Sequence, residues 1–463
     1  ILFGVSVLIG VGALFLWHSR CSFEKFGEQS TTTWLMVSII LLILSIYGIS
    51  ATCADMLLSV LLKSKKMKYR RDHLFVARTF ASKVRTMSFT FGTLSMLILL
   101  SLLCLNFSSI NKGVYRTSIE LNAPYDVEVF DWTQPFDDFN EYVRVIDEDY
   151  TINKIMMYNV YKEPGHQIQN YYDVQFYDYD PVMKLSDYNQ CLALRNMDPI
   201  DLKDHEYFLV TNRQLLYKVE NNEAVQRIRF AGEELHLKGI DTKSYWYNMN
   251  NTGRFTVIVP DAYVQGLEIA EPHLIVDTVE ETTSELEEKI RTELKHFLVV
   301  TDENGEQTQE YYRVNVRGTA IEEQNSMTAM MASICLYIAF ILISAVGTIL
   351  AVQSLSDAAK YTYRYQTLRR LGVNDRSLFR TVRKQLWILF GVPVICPVIS
   401  SFSMLTSVNH VYQVMLESRF SYLFYFIGGL AIFFLIYGIY WMAAYIGFKR
   451  NISEERSNEN WDY

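Results

Sequence analysis

Of the eight histidines available for acid–base or metal chemistry, His166, His205, His236, His273 and His296 fall in one segment. None stands in an HxxxH or HxxE pattern, the spacings that place two ligands, or a ligand and a base, on one helix face. They read as ordinary surface or core histidines. Adjacent acids such as Asp137 with Asp138, and Glu233 with Glu234, point apart on a helix or strand and do not converge on one substrate atom. They read as solvated charge. No GxSxG nucleophile turn occurs, and neither does a GxxxxGKS or GxxxxGKT phosphate loop. The chain is therefore expected to be non-catalytic, with no catalytic residue, no metal ligand and no cofactor of its own.

The residues that suggest a task lie between 356 and 385, in SDAAKYTYRYQTLRRLGVNDRSLFRTVRKQ. Tyr361, Tyr365, Leu368 and Leu371 recur at spacings of four and three; Gly372 interrupts, and Leu378, Phe379 and Val382 begin a second amphipathic pattern. Two short helices meeting at a bend would present an apolar ridge with a basic rim that includes Arg369 and Arg370. Such a bend suits docking to a soluble partner equally with lying on an anionic inner leaflet. Its chemistry is that of a binding surface.

The elements that must hold this bend are apolar runs near 20 residues long, about the length a helix needs to cross a bilayer. They are Ile1 to Trp17, Trp34 to Ala54, Met87 to Phe107, Met327 to Leu355, Leu386 to Leu405 and Tyr422 to Phe448. The first has no initiator Met, no basic leader and no small-residue cleavage site before His18 and Arg20, so it does not read as a signal peptide. It is expected to continue a longer chain. Lys63, Lys65, Lys66, Lys68, Arg70, Arg71, Arg78, Lys83 and Arg85 between the second and third runs place that loop in the cytoplasm. Eight basic residues between the fourth and fifth runs, from Lys360 to Lys384, and Lys449 and Arg450 after the sixth do the same for their segments. Trp17, Trp34, Trp387, Tyr422 and Trp441 stand near run ends, where amphipathic rings favour the headgroup level. No Asp, Glu, Lys or Arg lies in the centre of any run, which disfavours ion-coupled transport.

Segment 108–326 carries a net charge of about −20, and the rest of the chain about +12. The basic residues flank membrane runs, so nucleic acid is not an expected partner. Within the segment, YDVEVF, YDVQFY, YFLVT, RIRF, ELHLKGI, RFTVIVP, HLIVDTV and YRVNVRG alternate with the period of half-buried strands. Helical spacing marks Phe136 to Glu148 and Ser284 to Phe297, the latter with Ser284 and Glu287 at capping-box distance. The expected fold is an α-helical membrane protein with six transmembrane helices and an inserted extracytoplasmic α+β domain. Tyr171, Tyr172, Tyr177, Tyr179, Tyr245 and Tyr247, near Trp246, suit either sheet packing or a ligand-facing surface. Cys53, Cys104, Cys335 and Cys396 lie in or beside the runs, leaving Cys21 and Cys191 outside, which is no disulfide framework.

Leu368, Arg369, Leu371 and Gly372 resemble the LRxLG-type motif of FtsX-like ABC transporter permeases. That family is similar in running a basic amphipathic helix, here about Asp72 to Thr86, into a span, then a large external domain, then three spans with the motif between the first two. The two preceding runs and RKQLWILFGVP, with Gln385 and Pro393, resemble the bacitracin-export (BceB-like) subfamily, of which this chain would be the C-terminal part. The resemblance implies linking helices at 1–62, a basic loop, amphipathic helix and span at 63–107, the external domain at 108–326, the FtsX-like region at 327–450 with coupling segment 356–385, and a cytoplasmic tail at 451–463. It implies a bacterial plasma-membrane permease, with its C-terminus cytoplasmic, that transmits ATP hydrolysis by a partner ABC ATPase, which binds ATP and Mg. Coupling would rest on Tyr365, Leu368, Arg369, Arg370, Leu371 and Gly372. Implied partners are that ATPase as a homodimer, membrane lipids, a sensor histidine kinase, and a peptide antibiotic or lipid-linked cell-wall precursor. Many relatives carry Glu eight residues before the motif glycine; this chain has Arg364 there, so no Glu-dependent contact carries over. The alternative function is a signalling or scaffold membrane protein that controls a histidine kinase or wall hydrolase without moving substrate.

Overall fold

The structure is a computed structural model that describes residues 1–21, 29–63, 87–130, 139–171, 178–211, 216–220, 222–230, 232–243, 245–246, 255–294, 297–301, 307–311, 313–360, 362–416 and 421–459. The chain divides into two compact units, one of Ile1–Gly113 with Met330–Tyr463 and one of Val114–Ala329.

The first unit is helical. Its elements are α1 (Leu2–Arg20), α2 (Gln29–Lys63) and α3 (Ser88–Asn122), the last crossing into the second unit, and beyond the insertion α8 (Arg317–Lys360), α9 (Thr362–Arg370), α10 (Asp375–Leu416) and α11 (Ser421–Glu459). Among the described residues, six of these helices are long and apolar enough to cross a membrane, and they contain the six apolar runs. A continuous helix satisfies its own backbone polar groups, which is what a lipid environment demands. Pro393 and Pro397 sit inside α10 without ending it.

Packing in this unit follows residue size. Ile98 and Leu102 of α3, Ile343 and Val346 of α8, Phe390 of α10 and Phe433 of α11 are buried in one cluster. Leu435, Ile439 and Ile446 of α11 face outward, an apolar exterior that acyl chains would cover. At the α1–α2 contact a Cβ at Gly10 would strike Ser45 Oγ, and one at Gly48 would strike Ser6 Oγ. Ser45 Oγ donates to the Ser6 carbonyl at 2.8 Å. Small residues thus let the two helices approach closely and bond across the gap. The basic helix expected over Asp72 to Thr86 lies outside the described residues.

The second unit is built on a nine-stranded sheet. Its strands are β1 (Val127–Phe130), β2 (Ile152–Glu163), β3 (Asp180–Lys184), β4 (Glu206–Thr211), β5 (Arg227–Phe230), β6 (Glu233–Asp241), β7 (Phe255–Val259), β8 (Ile269–Thr278) and β11 (Arg313–Val316), in the order β11-β1-β8-β2-β3-β7-β4-β6-β5. A separate hairpin pairs β9 (Phe297–Thr301) with β10 (Gln307–Tyr311). Among the described residues, only β3–β7 and β4–β6 pair in parallel. The smaller helices are α4 (Asn140–Asp147), α5 (Leu185–Leu194), α6 (Leu216–Val219) and α7 (Ser284–Leu294). Tyr142 and Ile146 of α4 and Leu286 and Ile290 of α7 pack with Val127, Leu274 and Val316 on one sheet face.

Several expectations shift. YDVQFY at 172–177, residues 131–138 and His296 lie outside the described residues. The helix expected to reach Phe297 stops at Leu294, because Phe297 opens β9. The Ser284 hydroxyl donates to Glu322 Oε2 at 2.6 Å, so it serves α8. Strands β2 and β3 and helix α5 were not foreseen. At the β5 edge of the sheet, the Gln167 side chain takes both outward backbone groups of Arg229: Arg229 N donates to Gln167 Oε1 at 2.6 Å, and Gln167 Nε2 donates to the Arg229 carbonyl.

Candidate functional site

The bend between α9 and α10 is fixed by backbone chemistry. Gly372 adopts φ +86°, a left-handed conformation that glycine reaches without a Cβ clash. Its N–H donates to the Arg369 carbonyl at 2.9 Å, and Val373 N donates to the Leu368 carbonyl at 3.1 Å. This pair of bonds is a Schellman stop, and it satisfies carbonyls at the end of α9. Asn374 then opens α10: its side-chain oxygen accepts from Arg376 N at 3.3 Å, as a cap residue does.

Side chains tie the two helices together across this stop. Arg369 places Nε and a terminal nitrogen each 3.0 Å from Asp375 Oδ1. The buried Tyr365 hydroxyl donates to Gln385 Oε1 at 2.8 Å, and its ring stands edge-on to Phe448 of α11 at 5.8 Å. Leu368 packs against the helical core. Lys449, at the far end of α11, lies 5.2 Å over the Phe379 ring.

The six coupling candidates therefore divide. Tyr365, Leu368 and Arg369 face helix partners, Gly372 makes the turn, and Arg370 and Leu371 face outward. Leu371 is 76% exposed, and so is Tyr363 at 74%, a residue the spacing did not single out. Arg376, Arg380 and Arg383 are exposed on the first turns of α10. Two prominent apolar side chains among exposed guanidinium groups can bury apolar area and pair with acids on another surface. The expected ridge at spacings of four and three is not one face: Tyr365 and Leu368 turn in, and Leu371 lies past the helix end. Tyr361 is outside the described residues.

In the sheet unit, His205 and His236 are exposed, His166 is half-buried and His273 is fully buried. Tyr245 and Trp246 pack in the core, so they do not offer a ligand-facing surface; Tyr172, Tyr177 and Tyr247 lie outside the described residues. Tyr179 lies under Lys162, whose Nζ is 5.9 Å from the ring. Among the described residues no group of three or more His, Cys, Asp or Glu is placed to hold a metal ion. No protein-family model matches the chain, and no curated protein matches it either.

Proposed function

We propose that this chain is the permease subunit of an ATP-binding cassette transporter of the bacterial plasma membrane, coupling ATP hydrolysis by a partner ATPase to its inserted domain. In this reading residues 108–326 lie outside the cytoplasm, and the bend and C-terminus lie inside. The reading rests on the α9–α10 bend: a preformed turn, braced from within, that turns Tyr363, Arg370 and Leu371 outward. Its support in the sequence is the LRxLG-type motif and the basic residues that flank the spans.

Closure of a docked ATPase would displace the bend. Because Tyr365 and Arg369 tie α9 to α10 and α11, the displacement would reach the spans and not be lost in a loop. The path onward is α8, one uninterrupted helix from Arg317 to Lys360 that follows directly on β11. A net charge near −20 on 108–326 favours cationic ligands. The proposed task is to engage a cationic peptide antibiotic, or its complex with a lipid-linked cell-wall precursor, for resistance or sensing.

The test is co-purification of the full chain with an ABC ATPase, followed by hydrolysis measured with and without cationic wall-targeting peptides. An ATPase is expected to co-purify, and Leu371→Glu to remove it without loss of fold, since that side chain has no packing to lose. Absence of any bound ATPase, or its full retention by Leu371→Glu together with Tyr363→Glu, overturns the reading.

A further inference from the structure

Alternation along β8 puts Glu271, His273 and Ile275 on one face of the sheet. The register sets His273 opposite Phe130 of β1 and Tyr158 of β2. The imidazole is stacked between these two rings, 5.2 Å from Phe130 and 4.5 Å from Tyr158, with Trp246 edge-on at 5.6 Å. Each ring nitrogen meets a carboxylate: Nδ1 lies 3.3 Å from Glu128 Oε1, and Nε2 lies 3.4 Å from Glu271 Oε2. Tyr158 donates to the same Glu128 oxygen at 3.4 Å. None of the three is more than 2% exposed.

Buried carboxylates are costly unless a cation or hydrogen bonds compensate them. An imidazolium between two of them supplies the cation. Burial alone would push the His273 pKa down, but the Glu128 hydrogen bond and the charges of Glu128 and Glu271 outweigh it and leave the pKa raised. Burial raises the phenols of Tyr158, Tyr245 and Tyr125, and pushes the Cys191 thiol of α5 up to about 12. The charge of Arg195 acts on Tyr125 and Cys191.

We infer that Glu128, His273 and Glu271 form a proton-dependent latch: the imidazolium pins β1 and β8 beside β2, and its deprotonation removes the positive charge between two buried carboxylates. The strand it loosens matters, because β1 follows α3 directly and pairs with β11, which leads into α8. A raised folded-state pKa means that the stabilisation is complete below the unfolded histidine value of about 6.5 and is lost as pH rises through the higher folded value. The sheet unit is thus locked in mild acid and released towards alkaline pH.

Hydrogen exchange of the full chain in lipid nanodiscs, corrected for the intrinsic exchange rate, tests this between pH 6 and 9. Peptides covering 127–130 and 269–278 should lose protection as pH rises, and His273→Gln should show low protection that no longer depends on pH. Should that variant fail to fold, the double variant Glu128→Gln with Glu271→Gln houses a neutral histidine and should be folded and pH-independent. A wild-type profile that is flat over this range, or one whose slope both variants share, overturns the latch.

Discussion

At the residue scale, the bend depends on one backbone conformation. A Cβ at Gly372 meets no atom within 4 Å, so Gly372→Ala costs backbone strain and no packing. The penalty for an L-residue in the left-handed region is about 1–2 kcal/mol. It should appear as faster exchange of the Gly372 and Val373 amides, with the six long helices unchanged. The ion pair beside it is weaker: Arg369 and Asp375 are 30% and 40% exposed. Pairs of that kind contribute roughly 0–1 kcal/mol, so the turn itself holds the geometry. The motif glycine was legible because its requirement is local. Which side chains face out was not: Tyr365 and Leu371 share an apolar spacing, yet Tyr365 turns in to Gln385, and Leu371 falls after α9 has ended. His273 escaped for a related reason. Helical spacings do not mark it, because ExH at i and i+2 puts both groups on one face only in a strand, and the second acid, Glu128, is 145 positions away.

At the element scale, the buried link between α9 and α10 is the Tyr365 hydrogen bond, beside the half-exposed Arg369 pair. Tyr365→Phe keeps the ring against Phe448 but leaves Gln385, whose Nε2 also has no hydrogen-bond partner among the described residues, without its donor. Leaving a buried acceptor unsatisfied costs about 1–3 kcal/mol. The expected result is a lower unfolding temperature for the helical unit and weaker stimulation of a bound ATPase, with ATPase binding itself retained. The long helices were legible because length and apolarity decide them, and β1, β4 to β8 and β11 because runs rich in Val, Ile, Phe and Tyr mark them, although β1, β7 and most of β8 are buried on both faces and not half-buried. Strand β2 was not: its buried positions Met156, Tyr158 and Val160 come late, after Asn153, Lys154 and Ile155 all face solvent. Strand β3 hides behind Pro181, a residue that usually argues against a central strand and is tolerated here near the end of the β2 pairing.

At the scale of the whole molecule, charge partition makes the topology testable. With the native cysteines replaced, a cysteine at exposed Val279 should react with a membrane-impermeant maleimide in intact cells, and one at exposed Leu371 should react only after lysis. Labelling of Leu371 but not Val279 in intact cells would reverse the proposed orientation. The charge halves were legible because they need only counting. The separate hairpin and the strand order, in which the first strand β1 lies between β8 and β11 while β5 takes the opposite edge, depend on pairings that no single segment encodes. One of those edges is capped by a side chain of the same unit. An open β-edge is a template on which an identical edge can crystallise into an endless ribbon. Gln167 closes β5 with a counterfeit peptide group, offering one donor and one acceptor where a tenth strand would dock. In a crowded membrane, where neighbours are confined to a plane and meet repeatedly, that one amide is a guard against polymerisation.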